Sequence, residues 1–166
     1  MARIQTPDYT LRLLKFAMYA VFAGAILFSA RSAGAQEDAK REPLVIITSS
    51  GEYKFNVEIA ATPADQSRGL MFRRSMAPEN GMLFVYPEAQ YVSMWMRNTY
   101  LSLDMVFILP DGRVHRIEKR TEPHSERIIE SGARIGAVLE LVAGTAERIN
   151  LKAGDKVRHP HFKPGL

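Results

Sequence analysis

Gln90–Arg120 reads QYVSMWMRNTYLSLDMVFILPDGRVHRIEKR, and its alternation decides what kind of domain this is. In an extended strand Val92, Met94 and Met96 fall on one face, and Tyr91, Ser93, Trp95 and Arg97 on the other. The first set is a core face. The second presents the chain's one tryptophan beside a hydroxyl and a cation. Asn98 and Thr99 break the alternation, as loop residues do. Leu103–Leu109 is apolar on both faces apart from Asp104, which predicts a central strand. Asp111-Gly112 is a hairpin turn, because glycine accepts positive φ. Arg113–Arg120 then returns as an exposed or edge strand.

The chain on either side extends the same pattern. Leu44–Thr48 is a short strand, and Tyr53, Phe55, Val57 and Ile59 alternate with Lys54, Asn56 and Glu58, so the two form a hairpin through Gly51. Thr62-Pro63-Ala64-Asp65 opens a helix with a capping hydroxyl, a proline at its first position and a capping-box-like spacing. Gly69 ends that helix, Leu70, Met71 and Phe72 are expected to plug its end into the core, and Arg73-Arg74 follow on a loop. Met82–Tyr86 is a strand ended by Pro87, and Thr121–Ser131 is a long polar loop. Ala137–Val142 is a strand with one anomaly, Glu140; Thr145 caps a short helix running to Asn150, and Lys156–His159 is the last strand. The fold class is therefore mainly β (α+β). We expect a compact, nearly closed, antiparallel barrel-like domain of about seven short strands and two short helices, since short antiparallel strands must hide their edges.

The amino terminus stands apart. Arg3, Arg12 and Lys15 precede an apolar run, Phe16–Ala30, and Ala33-Gly34-Ala35 is an A-x-A site. Residues 1–35 read as a secretory signal peptide cleaved before Gln36, with an uncleaved anchor as the alternative. The run is short against the roughly 20 residues that a membrane span needs. Gln36–Pro43 is charged and reads as a mobile linker, leaving 44–162 as one β-rich domain, periplasmic or extracellular. The leader holds four of the 22 basic residues and one of the 18 acidic ones, so the chain from Gln36 is nearly neutral. Such a balance argues against nucleic acid, which needs a basic stripe, and leaves membrane contact only to an uncleaved leader. No cysteine is present, so stability must come from the core.

Five segments in order carry a family resemblance: GLMFRRSM (69–76), GMLFVY (81–86), MWMRNTYLSLDMVFI (94–108), DGRV (111–114) and AVLELVAGTAERINLKAGDKV (137–157). Together they resemble the domain of unknown function 192 family from about Glu58 to His159, with Met94 standing where an aromatic residue is expected. The resemblance implies a compact β-rich domain and brings no established activity with it.

Two carboxylates carry the chemical question. Asp104 and Glu140 lie in otherwise apolar strands, and a buried carboxylate must be paired or hydrogen-bonded. Each is either a structural anchor, Asp104 then tying down the Asn98-Thr99 loop, or part of a polar site in which Arg73 and Arg97 form a fork for an anion. Met94 and Met96 could hold Cu(I), but they share the face of Val92 and read as core. His159 and His161 lie on a tail expected to be solvated. The G-x-G-x-x-G, Walker, H-E-x-x-H and G-x-S-x-G patterns are all missing, so no cofactor, metal or catalytic residue is assigned. The sequence thus predicts a binding module for a small polar or anionic envelope ligand, using Arg73, Trp95, Arg97, Asn98, Thr99, Asp104 and Glu140. Two alternatives stay open. One is an enzyme on envelope sugars with Asp104 and Glu140 as an acid/base pair in one cleft. The other is a module that docks another envelope protein.

Overall fold

The computed structural model describes residues 40–162; the expected leader and the first linker residues lie outside them. The strands are β1 (Arg41–Thr48), β2 (Gly51–Ala60), β3 (Asn80–Gln90), β4 (Ser93–Met94), β5 (Leu103–Ile108), β6 (Val114–Glu118), β7 (Ile129–Glu130), β8 (Ile135–Val142) and β9 (Lys156–Arg158). The helices are α1 (Pro63–Arg68) and α2 (Thr145–Arg148). Seven strands form one curled sheet in the order β6-β5-β8-β3-β2-β1-β9, while β4 and β7 pair separately.

The sheet is mainly β and barrel-like, as expected, and open along most of its seam. Its two edge strands meet at one end. The Val114 N–H donates to the Asp155 carbonyl and the Val157 N–H to the Gly112 carbonyl, each at 2.8 Å. Gly112 is required at this seam. Its φ is +84°, and a Cβ there would come within 2.6 Å of the Val157 oxygen. One pairing differs from expectation: β2 and β3 run parallel, joined through α1. A parallel pair needs such a crossover.

Several boundaries move for physical reasons. The expected linker is strand from Arg41 onward, because Arg41–Pro43 pair with Asn56–Glu58 of β2. β3 runs on past Pro87, but its register with β8 slips between Val85 and Gln90, where proline has no N–H to give. Leu70 is buried as expected, whereas Phe72 is exposed. The terminal segment is packed and not solvated: the His159 side chain is buried beside Glu42, and His161 Nε2 lies 3.0 Å from the Gly136 carbonyl oxygen.

Both faces of the central strands are covered. On one face Leu44, Phe55, Val106, Leu139, Leu141 and Val157 form a core with Ala146 of α2 and Ile149 just after it. On the other, Met82, Phe84, Met105, Phe107 and Val138 pack with Leu70 and Met96 from the loops and Ile129 of β7. Met96 thus sits on the core side predicted for it.

Asp104 belongs to the first face and is completely buried. Its Oδ1 accepts the Arg120 N–H at 2.9 Å and its Oδ2 accepts the Ala146 N–H at 2.8 Å. The tie expected to the Asn98-Thr99 loop is instead a tie to two other segments. It also replaces the predicted Thr145 cap. Thr145 is buried in the first turn of α2, Gly144 stands at the N-cap without a side-chain bond, and Asp104 supplies the acceptor from a strand. At the other end the Thr48 hydroxyl donates to the Ile149 carbonyl at 3.0 Å.

Asp104→Ala leaves the buried Ala146 N–H and the partly buried Arg120 N–H unpaired and should cost roughly 2–4 kcal/mol in urea denaturation. Asp104→Asn keeps one acceptor and turns an NH2 toward the other N–H, so it should recover only part of that loss. A midpoint for Asp104→Asn equal to wild type would refute the two-sided tie.

Candidate functional site

Strand register puts a row of side chains across one face of the sheet. Arg41 lies opposite Glu58, Glu58 opposite Met82, Met82 opposite Glu140, and Glu140 opposite Met105. Directly paired residues share a face. Asp104 is paired with Leu141, one step along both strands, so Asp104 and Glu140 point to opposite faces. The shared-cleft acid/base pair is therefore not built.

Glu58 is mostly buried and takes a two-pronged bond from Arg73, whose Nη1 donates at 2.7 Å and Nη2 at 2.5 Å. Arg41 approaches the same carboxylate at 3.4 Å. Burial pushes the Glu58 carboxyl up, but its bond to Arg73 and the two guanidinium charges bring it below the ordinary value. The Glu58 bond in turn raises Arg73. The guanidinium fork expected for an anion is taken up inside the protein. Arg97 is exposed and faces Glu126 at 3.9 Å, so the two arginines do not form one clamp.

Glu140 is different. It is 4% exposed, and its Oε2 has no hydrogen-bond partner among the described residues. Burial pushes its carboxyl up to about 8 against a smaller opposing pull from Arg73. At neutral pH it is mostly a neutral acid, able to donate a proton in a hydrogen bond. Tyr86 lies near enough to feel the group: burial first, then the Glu140 charge, raise its hydroxyl to about 12.

Glu140 lines a cleft of about 370 Å³ bounded by α1, Gly69–Met71, Phe84 and Tyr86 of β3, and the segment Gln90–Trp95. Trp95 and Thr99 line it as well. Trp95 is 49% exposed and Tyr91 71%, so the aromatic side chains there meet solvent. Of the predicted residues, the fold brings Trp95, Thr99 and Glu140 together. Asp104 is on the other face, Arg73 stands behind Glu140 on Glu58, and Asn98 serves the loop. Asn98 has φ +55°, its carbonyl accepts the Phe72 N–H at 2.9 Å, and its Nδ2 lies 4.0 Å from Met71 Sδ.

That loop is strained in company. Phe72, Asn98 and His124 all have positive φ, and the His124 N–H bonds the Thr99 carbonyl at 3.1 Å. Left-handed non-glycine residues cost on the order of 1–3 kcal/mol each and cluster where function constrains backbone. Exposed Phe72 and Tyr100 meet edge to face, as do Tyr100 and His124.

Sequence reasoning missed Glu58, Tyr86, Tyr91 and Gln66. The signal for Tyr86 was present, because it continues the Met82–Phe84 alternation. Gln66 is the half-buried residue of an otherwise exposed short helix, and nothing in the sequence says that its Nε2 reaches the Ala60 and Val85 carbonyls.

The DUF192 family model, described as uncharacterized ACR, matches residues 45–159. The chain belongs to the DUF192 family. A solved structure of a candidate transcription regulator from Sinorhizobium meliloti 1021 is 45% identical, with a TM-score of 0.71 over 73% of this chain and 95% of that one. A protein of unknown function from Novosphingobium aromaticivorans DSM 12444 is 34% identical, with a TM-score of 0.73 over 80% of this chain and 94% of that one. No curated protein matches the chain.

In this DUF192 domain the two carboxyls drive stability in opposite directions with pH. Glu58, held low, stabilises above its unfolded value and loses that contribution as pH falls through its folded value. Glu140, held high, favours folding at low pH and loses that contribution as pH rises from 4.5 toward about 8. Urea titrations across that window should show wild type losing up to about 1.4 kcal/mol per pH unit relative to Glu140→Gln. Parallel curves for the two proteins would refute the assignment.

Proposed function

We propose that this DUF192 domain is an exported binding module whose cleft, floored by Glu140 and lined at its opening by Trp95 and Tyr91, takes a small polar ligand of the cell envelope. The observation that carries this reading is the unpartnered Oε2 of Glu140, buried within a lined cleft. A buried polar atom without a partner is rare and asks for a ligand or water. The anionic version of the ligand loses support, because the Arg73 guanidinium is bonded to Glu58 and does not line the cleft. The enzyme reading loses its support too, since its two carboxyls sit on opposite faces. A docking role keeps one observation in its favour, the exposed Phe72–Tyr100–His124 array with Arg74 over the Tyr100 ring at 5.3 Å. The regulator designation stays with the Sinorhizobium protein, because the chain from Gln36 is nearly neutral and supplies no basic stripe.

Export rests on the charged start, the apolar run and Ala33-Gly34-Ala35. Amino-terminal sequencing of protein from an envelope fraction should begin at Gln36; recovery of Met1 in membrane material would establish the anchor instead.

Thermal shift of the mature chain against metals, sugars and small anions should find a stabilising ligand, worth about 2.7 kcal/mol at a hundredfold excess over Kd. Trp95→Ala should abolish that shift while costing about 1 kcal/mol or less in stability, because the ring is half exposed. A stability loss of roughly 3–5 kcal/mol would mark Trp95 as core, and undiminished binding would remove the cleft from consideration.

A further inference from the structure

We propose that the cleft is built for an uncharged pyranose ring, which lies against Trp95 and Tyr91 while the Glu140 carboxyl group donates a hydrogen bond to one of its hydroxyl or carbonyl oxygens. This rests on the binding reading above and narrows it to a chemical class.

The charges around the cleft decide the class. An anion would find a single cation among the described lining residues, Arg68 at the end of α1, because the Arg73 guanidinium is already bonded to Glu58. A cation would ionise Glu140, but it would then stand in the field of Arg73, which acts on Glu140 while bonded to Glu58, with Arg41 on the far side of that pair. Tyr86, the remaining titratable neighbour of Glu140, is raised to about 12 and stays neutral. An uncharged ligand meets neither penalty. It needs acceptors for a protonated acid, and burial keeps Glu140 protonated below about 8.

The rest of the lining suits the same class. Ser67, Gln90 and Ser93 are hydrogen-bonding side chains without charge, set among apolar and aromatic ones, while the Gln66 amide nitrogen and the Thr99 hydroxyl already bond backbone carbonyls. Half-exposed aromatic rings offer a flat apolar surface. The volume of about 370 Å³ is at the small end of ligand pockets, which run from roughly 300 to 1,000 Å³.

A charge series on one ring tests this with the mature chain: N-acetylglucosamine, glucosamine and glucuronic acid, titrated by calorimetry at about pH 6 and about pH 9.5. N-acetylglucosamine should bind best at the lower pH and weaken about tenfold at the higher one, as Glu140 ionises. Glu140→Gln retains a donor, so it should bind at both pH values with that dependence gone. Glu140→Ala should lose about tenfold at the lower pH. Tighter binding of glucosamine or glucuronic acid at the lower pH overturns the proposal, as does neutral-sugar binding indifferent to Glu140→Ala. If none of the three binds while another ligand binds in a Trp95-dependent way, the sugar class falls and the binding cleft stands. If no ligand at all depends on Trp95, both fall.

Discussion

Burial of β5 and β8 on both faces is the constraint from which the rest of this domain follows. Every residue of β5 is buried, and β8 is buried from Ile135 to Leu141. A strand with no solvent face can hold a carboxyl only where something replaces water. The two faces solve this in different ways. On the barrel side, Asp104 receives two backbone N–H groups and so fastens α2 and the Arg120 turn to the sheet. On the loop side, Glu140 receives none and keeps its proton.

The contrast separates two ways of burying a carboxyl. A carboxyl whose oxygens are both bonded within the protein is committed, and its removal is felt by the fold. A carboxyl kept neutral in a cleft remains available, and the domain carries its desolvation as a standing cost. Glu58 and Arg73 show a third arrangement, in which a mostly buried pair satisfies itself and sets the field in which Glu140 sits.

Much of the fold is legible in the residues. The Asp111-Gly112 turn, the Thr62 cap of α1, the alternation of β2 and the inward face of Met96 all follow from local chemistry. The parallel β2–β3 pair is less visible, although the stretch 61–79 is long enough for a crossover and contains a helix. For the site, composition makes Asp104 and Glu140 stand out and makes Trp95 a surface candidate. It says nothing of which face each carboxyl takes, because that depends on the register of β5 against β8 across a long separation. Glu58 is hidden for the same kind of reason. Its alternation assigns it to solvent, and only the turn that brings Arg73 over the end of β2 removes it from water.

The seam at Gly112 has a bearing on when the chain can become a domain at all. Among the described residues β9 is the last strand in the sequence, yet it pairs with β1, the first, and its residues reach the β6 edge. A ribosome must release Lys156–Arg158 before the β1–β2 hairpin gains its outer neighbour, so the sheet cannot be completed until β9 has been made. Contacts that span nearly the whole sequence also slow the search for the native state.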